Sequence, residues 1–203
     1  MTFPIENQSE NVRFTFDDAE ITAVDNETIL QAAKRSGYDI PHLCYSEGMR
    51  PDGNCRACVV EIDGERVLAP SCCRAPTEGM VVNSNSDRAR KSQKLVLEML
   101  RDEVGSIHIS NNSELDYWCK KLNIGKSRFG GRSAPTEDLS HPAITVNLEA
   151  CIQCTRCVRA CREEQANDVI GFAHRGAHST IVFDMDDPMG ESSCVGCGEC
   201  VQA

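Results

Sequence analysis

The stretch that decides the fold runs Cys151-Ile152-Gln153-Cys154-Thr155-Arg156-Cys157-Val158-Arg159-Ala160-Cys161, with two, two and three residues between its four cysteines. The first three cysteine positions recur 43 residues later at Cys194, Cys197 and Cys200. The neighbouring residues recur too, since Cys-Val-Arg-Ala at 157–160 is matched by Cys-Val-Gln-Ala at 200–203. The motif is therefore an internal repeat. It predicts a further cysteine directly after Ala203, then a proline, so we expect a truncated sequence that continues for several hundred residues.

This spacing is the bacterial-ferredoxin arrangement, in which the fourth cysteine binds the other cluster. Three thiolates spaced by two residues wrap around three corners of an iron–sulfur cube, and the next cysteine points toward a second cube. One 4Fe–4S cluster is therefore predicted on Cys161, Cys194, Cys197 and Cys200. The other is predicted on Cys151, Cys154 and Cys157, with its fourth ligand expected beyond Ala203. Two zinc sites are the alternative, but the third cysteines and the crossing fourth cysteine disfavour them.

A second set of cysteines lies in the first half of the chain: Cys44, Cys55, Cys58 and Cys72, with ten, two and thirteen residues between them. The plant-type 2Fe–2S pattern shares the central Cys-x2-Cys and the distant fourth cysteine but has a shorter first gap. Gly53 stands where a loop must bend close to a cluster. The set predicts a 2Fe–2S centre, with a four-cysteine zinc site as the alternative. Cys73 follows Cys72 directly, and because adjacent side chains point differently we expect it to be a spare or buried thiol.

Composition places these motifs in a cytoplasmic metalloprotein. The 203 residues carry 13 cysteines and a formal net charge of −10, which argues against a nucleic-acid surface because such surfaces are basic. The first eleven residues are polar and acidic, so no secretory signal is expected. No apolar run approaches the roughly 20 residues of a membrane helix. Cysteines in a cytosolic protein stay reduced, and such spacing there indicates metal binding rather than disulfides.

Hydrophobic periodicity predicts an α+β arrangement before and between the cysteine motifs. Alternation predicts two strands within residues 12–24, followed by a helix capped by Asp25 or Asn26. Val59–Ile62 and Arg66–Leu68 are predicted to pair as a hairpin across Asp63-Gly64, and Val81-Val82 supplies one more strand. The strongest helix is predicted over residues 86–104, with Val96, Leu100 and Val104 on one face and Leu95 and Met99 beside them. A short helix is predicted near Ser113–Leu122, and a small hairpin from Ile170–Ala173 and Thr180–Phe183.

The sequence resembles the N-terminal iron–sulfur region of the large subunit of respiratory NADH dehydrogenase, a module also found in NAD-reducing hydrogenases and NAD-dependent formate dehydrogenases. Within that group it is most similar to the large (alpha) subunit of molybdenum- or tungsten-dependent formate dehydrogenases. The resemblance covers nearly the whole chain. It rests on these motifs: Pro41-His42-Leu43-Cys44, Asp52-Gly53-Asn54-Cys55-Arg56-Ala57-Cys58-Val59-Val60-Glu61, Pro70-Ser71-Cys72, Cys151–Glu163 and Cys194–Ala203.

The resemblance implies three segments. They are a β-grasp 2Fe–2S ferredoxin-like domain over 1–84, a helix and spacer over 85–143, and a two-cluster 4Fe–4S ferredoxin domain over 144–203. It also implies that electrons from formate, oxidised at a molybdenum or tungsten pterin site downstream, reach a flavin and NAD on a diaphorase partner subunit. No catalytic residue and no phosphate-binding glycine motif lies within these residues, so they are expected to carry electrons only.

Two interpretations from other classes stay open. One is a separate electron-transfer subunit of an NAD-reducing hydrogenase or NADH dehydrogenase, which differs in the residues after position 203. The other is a structural zinc-binding interaction module.

The sequence departs from many relatives in its middle segment. They carry a further cubane there on the pattern His-x3-Cys-x2-Cys-x5-Cys, whereas residues 105–143 offer only His108, Cys119 and His141. A cubane needs four ligands, so we expect this cluster to be absent and the segment to remain as a spacer. Any ligand role for Cys73 or for these three residues stays open.

Charge differs between the two cubane motifs. Three arginines, Arg156, Arg159 and Arg162, crowd the first motif, whereas Glu191 and Glu199 flank the second. Positive charge favours the more negative, reduced state of a cluster. The cluster of the Cys151 motif is therefore predicted to be the easier of the two to reduce.

Overall fold

The structure is a computed structural model that describes residues 11–104, 113–130 and 137–203. The described chain forms two compact units. The first comprises residues 11–42 and 56–93, and the second comprises residues 43–55 together with the described part of 94–203. The segment 43–55, which carries two of the predicted 2Fe–2S ligands, therefore belongs to the same unit as both cubane motifs.

The first unit is built on a five-stranded sheet with the strand order β2-β1-β5-β3-β4. Strand β1 pairs with β5 in parallel, and the other neighbouring strands are antiparallel. One helix, α1, packs against β2. The elements are β1 (Val12–Phe16), β2 (Ala19–Ala23), α1 (Ile29–Arg35), β3 (Val59–Ile62), β4 (Ala69–Pro70) and β5 (Val81–Asn83).

The hairpin of β1 and β2 confirms the alternation in the sequence. Phe14 and Phe16 are buried on one face of β1 while their neighbours are more exposed. Asp17 and Asp18 connect the strands with φ angles of 45° and 68°. Two consecutive positive φ angles are those of a type I′ turn, whose twist matches that of the flanking strands. The Asp17 carboxylate accepts hydrogen bonds from the backbone and hydroxyl of Ser84, at 2.7 and 2.6 Å, which stabilises this turn.

The helix α1 begins later than the sequence suggested. Asp25 and Asn26 are not its cap; Thr28 is, in a reciprocal capping box with Gln31. The Thr28 side chain accepts from the Gln31 backbone at 3.3 Å, and the Gln31 side chain accepts from the Thr28 backbone at 2.9 Å. A capping box satisfies two N–H groups that the helix itself cannot. Asp25 and Asn26, three and two positions upstream of Thr28, take no part in this exchange.

The predicted partner of β3 is also shifted. Val59 pairs with Pro70 and Val60 with Ala69, so residues 63–68 form a longer connection, and Arg66–Leu68 is not a strand. Gly64 still adopts the positive φ that its turn requires, 77°. Proline has no N–H to donate and is tolerated at a sheet edge, which is where β4 lies.

The long helix α2 (Asp87–Glu103) forms within the predicted range 86–104, but of the predicted face only Val104 is buried, while Val96 and Leu100 are half-buried. Leu97 and Val104 are fully or nearly fully buried, whereas Leu95 and Met99 are 38% and 51% exposed. Ala89 and Gln93, eight and four positions before Leu97, extend this buried stripe. The buried stripe thus starts with a small residue and an amide, which apolar periodicity does not identify.

The second unit continues with α3 (Glu114–Lys121), α4 (Arg156–Arg159), β6 (Ile170–Ala173), β7 (Thr180–Phe183) and α5 (Glu199–Gln202). A π-helical turn, Ala160–Glu164, follows α4 directly. The hairpin β6–β7 forms as predicted, and α3 forms within the predicted stretch Ser113–Leu122, with Ser113 as its cap. A small apolar core joins α4, the π-helical turn and the β6–β7 hairpin: Val158, Cys161, Val169, Ile170, Ile181, Phe183 and Met189. Within the described ranges, no helix combines the length and apolarity that crossing a membrane would demand.

Candidate iron–sulfur cluster sites

The two cubane motifs have the same backbone conformation. Gln153 and Thr155 flank Cys154 with φ angles of 55° and 67°. Their counterparts 43 residues later, Gly196 and Gly198, flank Cys197 with φ angles of 66° and 79°. Non-glycine residues rarely adopt this left-handed conformation, so its recurrence at matched positions shows that the repeat extends from sequence to structure. In each motif the short helix, α4 or α5, begins at the next residue.

Backbone amides point toward sulfur in both motifs. The Gln153 N–H donates to the Sγ of Cys151 at 3.3 Å, and the Gly196 N–H donates to the Sγ of Cys194 at 3.4 Å. Alternating right- and left-handed residues form concave nests of N–H groups that hold anions and iron–sulfur clusters. Hydrogen bonds to sulfur also stabilise the thiolates that such a cluster requires. The loops are therefore suited to an anionic sulfur-rich group.

The first motif brings its three thiols together. Burial raises the pKa of the Cys157 thiol to about 12, and the neighbouring Cys154, Cys151 and Cys200 raise it too. Burial likewise raises the pKa of Cys154, with smaller contributions from Cys151 and Cys44. Several thiolates this close cannot all ionise alone, and the positive charge of iron is what allows deprotonation in such a site. The effect of Cys44 on Cys154 also places a 2Fe–2S candidate ligand near the first motif.

The second motif brings together the crossing set. Burial raises the pKa of Cys200, and Cys194, Cys197 and Cys161 add to the effect in that order. Cys161 lies in the π-helical turn after α4 and is 7% exposed. Cys161, the fourth cysteine of the first motif, therefore lies close enough to Cys200 of the second to affect its pKa, and its role as a ligand of that cluster stays a prediction.

An apolar cavity of about 300 Å³ lies against both motifs. Cys151, Cys157 and Cys200 face it, and the rest of its lining is mainly aliphatic and aromatic: Ile144, Val146, Leu148, Ile170, Ile181, Phe183 and Met189. An apolar shell limits water access and thereby influences the reduction potential of a bound metal centre. The surroundings of these thiols therefore fit a sheltered redox centre.

Two of the 2Fe–2S candidates lie together in the segment 43–55. The Cys44 N–H donates to the Sγ of Cys55 at 3.4 Å, and the Cys55 N–H donates to the Sγ of Cys44 at 3.5 Å. Gly53 and Arg56, on either side of Cys55, have φ angles of 65° and 60°. The backbone arrangement resembles that of the cubane loops, since left-handed residues lie around a cysteine and backbone amides donate to sulfur.

The other two candidates flank the β3–β4 pair of the first unit. Cys58 directly precedes β3, and its carbonyl accepts from both the N–H and the hydroxyl of Ser71, at 3.1 and 2.7 Å. Cys72 follows Ser71, and both cysteines are buried. The N-terminus of α1 donates to the same segment, from Leu30 N–H to the Ser71 carbonyl at 3.0 Å. The sheet and the helix therefore fix the backbone on both sides of these thiols.

Cys73 does not behave as a buried thiol. It is exposed, and its Sγ lies 3.5 Å from the Sγ of Cys72, although adjacent side chains were expected to diverge. Its description as a spare thiol beside the candidate ligand stays a prediction.

The donor set is cysteine throughout, which suits iron–sulfur clusters and zinc alike. Across the described residues, no three or more Cys, His, Asp or Glu side chains converge on a position for one metal ion. A cluster distributes its thiolates over several irons, so its cysteine ligands do not have to converge on one position.

Two residues of the middle segment lie in different surroundings. Cys119 is buried in α3, where burial raises the pKa of its thiol. His141 instead lies beside the second cubane loop, 3.6 Å from where a side chain on Gly196 would begin. Its Nδ1 accepts from the backbone of Ala143 and Ile144, both at 3.2 Å. His108 lies outside the described residues, and the absence of a histidine-ligated cubane stays a prediction.

Sequence reasoning missed the residues that hold the segment 43–55. Asn54 donates from its side chain to the Gln153 carbonyl at 2.7 Å, and Thr155 donates from its hydroxyl to Asp52 at 2.9 Å. The sequence indicated Arg156 and Arg159 only as charges. No local signal announces such contacts, because the partners are about a hundred positions apart in the chain.

Comparison with known proteins finds a family match in each half of the chain. Residues 9–87 match the family described as "2Fe-2S iron-sulfur cluster binding domain". Residues 141–193 match "NADH-quinone oxidoreductase subunit 3, ferredoxin-like domain". In a solved structure of an NAD+-reducing [NiFe]-hydrogenase in the H2-reduced state, one chain matches with a TM-score of 0.79 and 29% identity. The match covers 90% of this chain and 80% of that one.

Three curated proteins are similar over most of the chain. An NADH-quinone oxidoreductase subunit of Rhizobium meliloti (strain 1021) is 32% identical over 94% of this chain, and the match covers 23% of that protein. "NADP-reducing hydrogenase subunit HndD" of Solidesulfovibrio fructosivorans is 32% identical over 92% of this chain, covering 34% of that protein. "Putative formate dehydrogenase SH0748" of Staphylococcus haemolyticus (strain JCSC1435) is 28% identical over 94% of this chain, covering 20% of that protein.

The chain thus spans between a fifth and about a third of the length of these relatives. It consists of a 2Fe–2S ferredoxin-like domain followed by an NADH-quinone-oxidoreductase-type ferredoxin-like domain, in a mixed α/β structure. It is an iron–sulfur electron-transfer module homologous to subunits of NADH-quinone oxidoreductases, hydrogenases and formate dehydrogenases.

Proposed function

We propose that these residues are the iron–sulfur relay of an NAD-linked formate dehydrogenase. The observation that carries the relay is the repeat of left-handed residues and amide-to-sulfur hydrogen bonds in the two Cys-x2-Cys-x2-Cys loops. The similarity to a putative formate dehydrogenase, together with the motif resemblance, supports the choice of formate.

The ligand assignment follows the cysteine sets. Cys44, Cys55, Cys58 and Cys72 hold one 2Fe–2S cluster; Cys161, Cys194, Cys197 and Cys200 hold one 4Fe–4S cluster; Cys151, Cys154 and Cys157 hold a second, whose fourth ligand lies after Ala203. When bound, each cluster accepts or donates single electrons while its ligands stay in place. The residues of this chain hold the thiolates at fixed separation, direct amides at sulfur and exclude water with the apolar core around Phe183 and Met189.

The proposed electron path begins and ends outside these residues. Formate is oxidised at a molybdenum or tungsten pterin site in downstream residues, and a flavin- and NAD-binding diaphorase subunit receives the electrons. The segment boundaries 1–84, 85–143 and 144–203 and a cytoplasmic location belong to the same proposal. No residue of the described chain is assigned to breaking a substrate bond.

Anaerobic reconstitution of the full-length protein tests the relay. We expect iron and acid-labile sulfide in equal amounts, visible absorption that bleaches on reduction, and EPR signals from more than one kind of cluster. Zinc sites would give neither sulfide nor an EPR signal, so a colourless protein that retains zinc after anaerobic purification would refute the relay.

A second candidate is an electron-transfer subunit of an NAD-reducing hydrogenase or NADH dehydrogenase. The match to 80% of a chain in the structure of an NAD+-reducing [NiFe]-hydrogenase supports it. Two observations separate the candidates: the reading frame beyond residue 203, and the donor that reduces the clusters in the intact complex. Reduction of the clusters by formate supports the first proposal. Reduction by H2, or by NADH with no reduction by formate, supports the second.

A further inference from the structure

Arg159 is the only charged side chain that is buried among the residues that the structure describes, with 4% of its surface exposed. Its guanidinium donates to neutral oxygens: the Cys44 carbonyl, the Arg50 carbonyl at 2.6 Å and the Thr155 hydroxyl at 3.4 Å. Burying a charge is costly unless it is paired or fully hydrogen-bonded. A buried arginine that directs its donors to a loop backbone therefore indicates a role in holding that loop.

The loop in question is the segment 43–55, which carries Cys44 and Cys55. Arg156 binds it as well, donating from Nη2 to the Tyr45 carbonyl at 2.6 Å. Arg50 adds an ion pair to Glu163 at 2.7 Å, just after the first cubane motif. The side chains of Asn54 and Thr155 supply two more hydrogen bonds between the loop and the motif. The loop is thus tied at its start, middle and end to the residues that surround Cys154.

The three arginines of the motif differ once their partners are known. Arg162 is 54% exposed in its side chain and pairs with Asp168 at 2.6 Å. Arg156 pairs with Glu114 at 2.7 Å. Of the three, only Arg159 has no carboxylate among its hydrogen-bond acceptors. A buried positive charge acts more strongly on nearby groups than one paired at the surface. Arg159 also contributes, after Arg50, to the lowered pKa of Glu163, so its charge acts beyond the groups that it hydrogen-bonds.

We propose that Arg159 is a positioning residue that fixes the Cys44–Cys55 loop against the first cubane motif, and that its buried charge raises the reduction potential of the clusters on both sides. The inference rests on the proposed iron–sulfur relay. It narrows the sequence-based expectation for three arginines to the two that hydrogen-bond the loop. Arg156 also opposes the rise in the pKa of Cys154, and Arg159 is the buried one of the two. The position that corresponds to Arg159 in the second cubane motif, 43 residues later, is the neutral residue Gln202.

Two properties of Arg159 are separable by substitution. Arg159→Gln removes the charge and most of the donors. Arg159→Lys keeps the charge but cannot reach two carbonyls with one planar fork, because an ammonium is a point donor. Arg162→Gln is the matched control, since it removes an arginine three residues away that is exposed and paired.

The experiment uses the full-length protein, reconstituted anaerobically, with iron and sulfide measured before any comparison. One readout is an EPR-monitored redox titration of each cluster. The other is hydrogen exchange of backbone amides 44–55, in both the cluster-free and the loaded protein. For Arg159→Gln we expect exchange in the loop at least tenfold faster. We also expect at least a tenfold lower ratio of reduced to oxidised cluster at fixed potential, about 59 mV for a one-electron couple.

The other variants distinguish position from charge. Arg159→Lys is expected to speed exchange of amides 44–55 while leaving the potentials near those of the wild type. Arg162→Gln is expected to change neither. Equal shifts in Arg159→Gln and Arg162→Gln, or unchanged exchange and potentials in Arg159→Gln, would overturn the proposal.

The outcome also separates this inference from the relay itself. Wild-type protein that binds no iron and sulfide would refute the proposed relay. If the wild type binds clusters but the Arg159 variants change neither the potentials nor the hydrogen exchange, only the role of Arg159 is refuted. If Arg159→Gln takes up no clusters, hydrogen exchange of amides 44–55 in Arg159→Lys decides. Exchange faster than in the wild type supports the positioning role of Arg159, and exchange at the wild-type rate refutes it.

Discussion

Replacing Cys161 by serine is expected to remove the cluster of the second motif, although Cys161 lies in the first. The reason is its position: it follows α4 in the π-helical turn and contributes, with Cys194 and Cys197, to the raised pKa of Cys200. Its sulfur belongs to the core formed by both motifs.

The expected size of the change follows from the cluster type. Loss of one cubane removes about four irons and four sulfides from each polypeptide, and leaves the other clusters in place. In the cluster-free protein, a serine hydroxyl among Val169, Ile181 and Phe183 costs about 1–3 kcal/mol because the site offers mainly apolar neighbours. Cys161→Ala avoids that polar penalty, so the pair of variants separates loss of a ligand from loss of stability.

The assay compares residual spectra as well as iron content. After anaerobic reconstitution and reduction, Cys161→Ser and Cys161→Ala should give the same EPR spectrum as Cys194→Ser, and a different one from Cys151→Ser. Cys119→Ser is the control, since Cys119 is buried in α3 outside both motifs and should retain all iron. Spectra of the Cys161 variants that match Cys151→Ser, or an undiminished iron content, would refute the crossing assignment.

Three further predictions concern the scaffold. Gly190→Ala should destabilise the second unit by about 1–3 kcal/mol, because a Cβ there would overlap the Ser140 carbonyl; Gly171→Ala, which meets nothing, is the control in urea unfolding. Ser71→Ala should cost about 1 kcal/mol by removing the buried 2.7 Å hydrogen bond to the Cys58 carbonyl, and an unchanged unfolding midpoint would contradict this. The hydrogen bond from Arg35 lowers the pKa of Glu27, so the carboxylate stabilises the fold above its unfolded pKa of about 4.3 and loses that effect as pH falls through the lower folded value. Glu27→Gln should therefore be destabilised at pH 7 but not at about pH 2–3, and an equal difference at both pH values would speak against the carboxylate.

The sequence predicted the elements whose information is local. The β1–β2 and β6–β7 hairpins follow from alternation over a few residues, and both formed as expected. The two errors have different origins: the first concerns a local capping box that the prediction overlooked, and the second a strand pairing set by the length of the connection. The cap of α1 is Thr28 because Gln31 reciprocates, and the strand beside β3 is Ala69–Pro70 because residues 63–68 make a longer turn than Asp63-Gly64 suggested.

The cysteine spacing by itself predicted which residues form the candidate cluster sites. Ligands that must surround one cluster within a short loop leave a periodic trace in the chain, so the repeat from Cys151 to Cys200 was readable without coordinates. Tertiary structure alone decided which arginine is buried and what it holds. Arg159 and Cys44 are 115 positions apart, and their hydrogen bond depends on how the chain returns after the intervening elements have folded. Local propensity carries no record of a contact at that separation, because only the packed fold brings the two residues within reach.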